Sequence, residues 1–129
     1  MTERAVWITI CGKSYPLCLT LRATKEITKR FGGLEKLADA LSCAELAEQL
    51  DTMTWLLSLL ISEACAMLCV MGEDAPTPLT AEKLEIVLTP GDLIRMQGDL
   101  LNAVRVGVGR EVEGKNAEAG PTSAGSLPG

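Results

Sequence analysis

The chain has few residues that could carry chemistry, and its cysteines are the first to consider. Cys65 and Cys69 are four residues apart, so on a helix their thiolates would share one face and could bind a soft metal ion. The sequence has five cysteines and no histidine, so further ligands would have to come from Cys11, Cys18 or Cys43, whose spacing is unlike that of zinc sites. Because a buried free cysteine behaves as a small hydrophobic residue, we predict no metal site.

The sequence also offers few residues for acid–base or nucleophilic catalysis. Without histidine there is no imidazole base or catalytic triad, and a cysteine nucleophile would need activation by other groups. Gly32-Gly33 and Gly107-Val108-Gly109 lack the strand, the glycine spacing and the lysine of a phosphate loop, and we interpret both as helix ends. Some carboxylates could be assigned as pairs of a general acid and a general base, but they fall on predicted helices, where carboxylates usually form solvated surface. They are Glu45, Glu48, Glu82, Glu85 and Asp92. We therefore predict that the protein is not an enzyme and uses no cofactor.

The charge balance argues against nucleic acid as a partner. The 129 residues carry a formal net charge of -5, and the sequence pI is about 4.7, whereas phosphate backbones attract clustered Lys and Arg. Lys25, Lys29 and Arg30 share one predicted helix, but Glu26 interrupts them, which is typical of a solvated helix face. An odd number of cysteines and an N-terminus unlike a signal peptide predict free thiols in a reducing, cytoplasmic compartment.

The segment 54–71, TWLLSLLISEACAMLCVM, is the most apolar part of the chain, and Glu63 is its only charged residue. Its length reaches the lower end of the membrane-spanning range, but Asp51 precedes it, Glu73-Asp74 follow it, and no Lys or Arg flanks either end. We therefore predict no membrane span and interpret the segment as part of a long helix. Ser42 and Glu45 match a capping box that would start this helix, and Gly72 would end it.

The first 21 residues predict a β-hairpin. Apolar residues alternate on both arms around Gly12-Lys13, which reads as a two-residue turn. This turn would pair Cys11 with Ser14, Ile10 with Tyr15, Ile8 with Leu17 and Val6 with Leu19. One face would then be apolar and pack on helices, while the other, which includes Trp7, Pro16 and Cys18, could meet water or a partner.

The remaining pattern predicts helices and a tail. Helices are expected over 22–31 and 34–41, over 81–88 after a Thr80 cap, and from Thr89-Pro90 to Gly107-Gly109. The predicted fold class is α+β and mostly α-helical, with a hairpin over 5–21 packed on helices over 22–107 in one domain, 1–110. Residues 111–129 are poor in apolar side chains and predict a disordered tail.

The order of these features resembles the tail assembly chaperones of long-tailed bacteriophages and of prophages in Gram-positive bacteria. The resemblance covers most of residues 5–110. It is carried by ITICGKSYPLCLTLRATKEITKRFGGLEKLADAL at 8–41, by the apolar helix, and by TAEKLEIVLTPGDLIRM at 80–96. Within the first segment, its specific parts are the Gly-Lys turn followed by Tyr-Pro, the Leu21-Arg22-Ala23 helix start, and the run from Arg30 to Leu34.

The resemblance implies a protein-binding function in the bacterial host cytoplasm. Such chaperones bind the long, helical and aggregation-prone tape measure protein, keep it soluble, and support polymerisation of the tail tube protein around it. They are often extended by a ribosomal frameshift, and the segment after Arg110 is where such a junction would be expected. The resemblance implies no catalysis, no nucleic acid and no membrane.

Adaptable apolar residues on the central helix are the candidates for partner binding. Methionine repacks around varied partners, so we single out Met67 and Met71, together with Trp55 and Leu59. The same residues could simply form the core, and self-association as a homo-oligomer would also cover them. Two other functions stay open at this point: a structural tail completion or connector subunit, and a small membrane protein.

Overall fold

The computed structural model describes residues 5–43 and 45–113 and has the predicted α+β architecture. An antiparallel hairpin of β1 (Val6–Ile10) and β2 (Lys13–Leu17) precedes the helices. In the described residues these are α1 (Leu21–Phe31), α2 (Leu34–Cys43), α3 (Leu46–Val70), α4 (Ala81–Val87) and α5 (Pro90–Glu113). Since the hairpin packs on a mostly helical body around one long apolar helix, the predicted fold class is confirmed.

The hairpin register differs from the prediction by two residues. Ile8 pairs with Tyr15 and Ile10 with Lys13, so the two-residue turn is Cys11-Gly12 and not Gly12-Lys13. Both turn residues have positive φ, 52° and 82°, as the hairpin turn of type I′ requires. A shift of two preserves the alternation of faces, which is why Ile8, Ile10 and Tyr15 are still buried as expected.

The second strand is also shorter than predicted, because the chain leaves the sheet at Leu17. Cys18 then crosses the central helix, and its backbone N–H donates to the carbonyl of Leu60 at 3.3 Å. Cys18 is buried in a small second cluster with Ala64, Met67 and Leu68. The expectation that Cys18 and Pro16 belong to a face available to water or a partner is therefore wrong, since both are buried.

Helix α1 begins and ends as its residues suggest. The Thr20 hydroxyl oxygen accepts from the backbone N–H of Ala23 at 3.0 Å and caps the first turn. At the other end Gly32 adopts φ 96°, a left-handed conformation that glycine tolerates, and its N–H donates to the Thr28 carbonyl. Two turns of α1 bury Ala23 and Ile27 against the core.

The predicted capping box at Ser42 and Glu45 is wrong. Ser42 lies in the last turn of α2, where its hydroxyl donates to the Ala38 carbonyl at 2.6 Å. Helix α3 begins later, at Leu46, after Glu45, whose side chain makes no capping hydrogen bond. The Ser42 hydroxyl thus forms a hydrogen bond within the preceding helix instead of capping the next one, as short polar side chains commonly do.

Helix α3 forms the centre of the core. Its buried side chains meet the hairpin, α1, α2, α4 and α5, and those that are fully buried are Met53, Leu56, Leu57, Leu60, Ile61, Ala64 and Leu68. By length and composition α3 is the one described helix that could cross a membrane, and 61% of its most apolar window is buried inside the protein. The core helix of a soluble protein passes the same test.

The chain reverses after α3 at the predicted glycine. Gly72 has φ 78°, its N–H donates to the Cys69 carbonyl, and the N–H of Glu73 donates to the Leu68 carbonyl. This pair of hydrogen bonds is the Schellman arrangement that satisfies the last carbonyls of a helix. The chain then returns along α3 until the Leu79 carbonyl accepts from the Ser58 hydroxyl at 3.1 Å, and Thr80 caps α4 as predicted.

A reciprocal cap starts α5. The Thr89 hydroxyl oxygen accepts from the N–H of Asp92, and the Asp92 carboxylate accepts from the N–H of Thr89. These hydrogen bonds and the adjacent guanidinium of Arg95 lower the pKa of Asp92. Pro90 is the first helical residue, as predicted.

The predicted end of α5 is wrong. The helix passes through Gly107 and Gly109 and reaches Glu113. At Gly107 a Cβ would lie 2.6 Å from the Leu19 Cβ, so glycine is there to let the helix approach the chain closely. Of the segment predicted to be a disordered tail, 111–113 belong to α5 and 114–129 lie outside the described residues.

Candidate protein-binding surface

One side of α3 is left partly uncovered, and we name it the outer stripe. It consists of Trp55, Leu59, Ser62, Ala66, Cys69 and Val70. These residues recur at three- and four-residue steps and share an arc of about 100° around the helix. All six are partly buried or exposed, whereas the opposite side of α3 is buried from Met53 to Leu68. The stripe is therefore the solvent-facing side of the helix that carries the core.

An aromatic contact marks the N-terminal end of the outer stripe. The ring of Trp55 packs edge to face against Phe31 of α1, with centroids 5.7 Å apart. The guanidinium of Arg30 lies 4.7 Å from the Trp55 ring centroid, within the range of a cation–π interaction. Trp55 is thus held on two sides, and it presents a rigid, partly exposed aromatic surface.

A polar contact forms the border between the outer stripe and α1. The carboxylate of Glu63 accepts from Nε of Arg22 at 2.9 and 3.1 Å, and the second guanidinium nitrogen lies 2.9 Å from it. The Thr20 hydroxyl donates to the same carboxylate at 2.6 Å. The Glu63 side chain is only 10% exposed, so this two-point pairing compensates a charge that has been taken out of water.

The C-terminal end of the outer stripe is the most open. Val70, the last residue of α3, is 86% exposed, and Met71, which caps α3 on the other side of the helix, is 51% exposed. Large apolar side chains exposed to this degree favour contact with another surface. Between the two ends, Ser62 and Ala66 are small and would allow another helix to approach closely.

The four residues singled out from the sequence fall in different places. Trp55 and Leu59 lie on the outer stripe, one turn apart, and both are partly buried. Met71 is exposed at the C-cap of α3, but at about 100° per residue it lies on the side of the helix away from the outer stripe. Met67 points inward, where its sulfur accepts from the thiol of Cys18 at 3.6 Å. Partner binding by any of them stays a prediction.

Sequence reasoning missed Ala66, Cys69 and Val70. The signal that could have found them is the run of small or polar residues at helical steps, Ser58, Ser62 and Ala66, within an otherwise large apolar segment. Such a run indicates the side of a core helix that the rest of the domain leaves uncovered.

The cysteines lie at different depths. Cys65 is buried, and desolvation together with the nearby Cys69 raises the pKa of its thiol. Cys69 is exposed on the outer stripe and Cys11 is exposed in the hairpin turn. Among the described residues, no group of three or more His, Cys, Asp or Glu side chains is placed to hold a metal ion.

The chain was compared with protein-family models, curated proteins and solved structures. No protein-family model, curated protein or solved structure matches the chain.

Proposed function

We propose that this protein is a phage tail assembly chaperone that binds the tape measure protein and supports assembly of the tail tube. The resemblance of residues 8–41 and 80–96 to that family supports the proposal. The outer stripe is the structural observation that carries it. A non-catalytic binding role in the host cytoplasm is part of the same proposal.

The outer stripe has the dimensions of a docking site for a helix. From Trp55 to Val70 it runs for about 22 Å at 1.5 Å per residue, which corresponds to about four turns of a client helix. Apolar helices commonly bind by laying anchor residues along such a surface. Trp55 and Leu59 would contact one end of the client and Val70 the other, while Ser62 and Ala66 permit close approach of the backbone.

Co-expression with the tape measure protein of the same phage tests the proposal. The soluble fraction of the tape measure protein should rise when the chaperone is present. Val70→Lys should abolish most of that gain, because it places a charge on the outer stripe. Ile86→Lys is the matched control, since Ile86 is also a strongly exposed apolar residue, at 77%, but lies on α4.

Two results would count against the proposal. One is a tape measure protein that stays as insoluble as before when it is co-expressed with this protein in folded form. The other is recovery of the protein from purified virions in stoichiometric amounts, which would instead support a structural tail subunit.

A further inference from the structure

A second surface lies beside the N-terminal half of α3, where α3, α4 and the start of α5 meet. It is an open groove of about 220 Å³. Apolar side chains form most of its wall, among them Leu50, Leu88 and Leu93. Asp51 and Glu85 are also part of its lining, and both are exposed. The groove thus combines an apolar interior with two carboxylates at its edge.

The polar groups inside the groove are already satisfied. The Thr54 hydroxyl donates to the Leu50 carbonyl at 2.7 Å, and the Thr89 hydroxyl is used in the cap of α5. A ligand therefore does not need to supply hydrogen bonds to the interior, and an apolar side chain fits there best.

The two carboxylates, in contrast, have no partner of opposite charge within residues 5–43 and 45–113. Neither Asp51 nor Glu85 forms an ion pair with a described Lys or Arg. Arg95, two residues after Leu93 on α5, is bound to Asp92. The chain as a whole also carries a net charge of -5. The edge of the groove therefore attracts positive charge.

We propose that this groove binds a segment of a partner protein in which one large apolar side chain is flanked by Lys or Arg. The apolar side chain occupies the space between Leu50, Leu88 and Leu93, and the flanking cations pair with Asp51 and Glu85. The proposal does not depend on the partner being a tape measure protein, because the groove lies outside the outer stripe and has its own charge pattern.

Synthetic peptides provide the test. A fluorescently labelled peptide with a central Leu between lysines is titrated with the full chain, and binding is followed by anisotropy and by the methyl NMR signals of Leu50, Leu88 and Leu93. Saturable binding that shifts these methyl signals is expected. A peptide with glutamates in place of the lysines, and one with Ser in place of the Leu, should each bind at least about tenfold more weakly, and binding should weaken as salt is raised.

Protein variants make the test specific. The double variant Asp51→Lys, Glu85→Lys should weaken binding of the basic peptide at least about tenfold. Asp39→Lys with Asp99→Lys, on exposed positions of α2 and α5 outside the groove, is the control of equal charge change and should bind like the unchanged protein. If the double variant does not fold, Asp51→Asn with Glu85→Gln serves the same purpose and should weaken binding less.

Several outcomes would overturn the proposal. These are equal binding of the basic and acidic peptides, methyl shifts confined to residues outside the groove, and unchanged binding by the folded charge variants. Failure of the lysine-flanked peptide to bind would also overturn it, whether the chain sediments as a monomer or as an oligomer. None of these results bears on the tape measure co-expression experiment, so the two proposals can fail separately.

Discussion

Glu63 shows how a charged residue is accommodated in an apolar helix. In the sequence it is an exception within 54–71, and the helix itself offers it no partner. The fold brings Arg22 and Thr20 to it from 41 and 43 residues earlier in the chain. Because the carboxylate accepts from both, its charge is compensated at the border of the core, and it anchors the start of α1 against α3.

Removing the guanidinium should therefore destabilise the protein. Arg22→Ala is expected to lower the free energy of unfolding by about 1–3 kcal/mol, since it leaves a largely buried carboxylate without its charged donor. The Arg22 side chain is 69% exposed, which keeps the effect below that of a fully buried pair. Urea denaturation followed by circular dichroism measures the change.

The control for this prediction is Lys29→Ala, which removes only an exposed contact with Glu26 at 3.8 Å. It should change stability by less than about 0.5 kcal/mol. Adding Glu63→Leu to Arg22→Ala should restore part of the loss, because the unpaired carboxylate is then gone. Equal effects of Arg22→Ala and Lys29→Ala would show that the pairing contributes nothing.

At the scale of elements, two similar capping patterns in the sequence have different outcomes. Ser42 and Thr89 are each followed three residues later by an acidic residue, so both match a capping pattern. Only Thr89 is followed by proline, which favours the first helical position and ends whatever precedes it. At Ser42 nothing interrupts the helix that began at Leu34, so the hydroxyl bonds back into that helix.

Gly107 and Gly98 provide a matched pair within α5. A Cβ at Gly107 would collide with Leu19, at 2.6 Å from its Cβ and 3.1 Å from its carbonyl oxygen, whereas a Cβ at Gly98 meets nothing within 4 Å. We expect Gly107→Ala to destabilise the protein by about 1–3 kcal/mol through overpacking. Gly98→Ala should stabilise it by up to about 1 kcal/mol through helix propensity.

Thermal and urea denaturation of the two alanine variants measure this difference. The comparison controls for the helix propensity of alanine, which is the same at both sites. If both variants were stabilised, α5 would not approach Leu19 as closely as the structure places it.

At the scale of the whole molecule, α3 contributes the centre of the core on one side and the candidate binding surface on the other. The hairpin, α1, α2, α4 and α5 cover most of its circumference, which accounts for an apolar composition that resembles a membrane span. What they do not cover is the outer stripe. The apolar residues of α3 thus divide into a buried majority and an uncovered minority that a partner could contact.

The same division predicts the reactivity of the thiols. In a Cys43→Ser background, Cys11 and Cys69 should react rapidly with a thiol reagent near neutral pH, while Cys18 and Cys65 should be protected in the folded protein. Burial of Cys65 also raises its pKa, so less thiolate is present there. Peptide mapping by mass spectrometry after timed labelling measures the order.

Labelling in denaturant is the control, and all four thiols should then react at similar rates. Rapid labelling of Cys18 under native conditions would contradict the placement of the hairpin exit across α3, because that crossing is what buries Cys18.

The sequence by itself determined the element types, most of their ends, and most of the residues that face inward. These follow from local rules: alternation in the hairpin, three- and four-residue steps in the helices, the Thr80 cap, and glycine stops at Gly32 and Gly72. Only the tertiary structure decided the hairpin register, since turns at Cys11-Gly12 and Gly12-Lys13 place the same residues on the same faces. It also decided that Gly107 is a point of close approach, that Glu63 pairs with Arg22, and which side of α3 remains uncovered. Alternation alone cannot choose between the two hairpin turns, because both give the same faces. The other three features depend on contacts between segments far apart in the chain, and no local periodicity specifies such contacts.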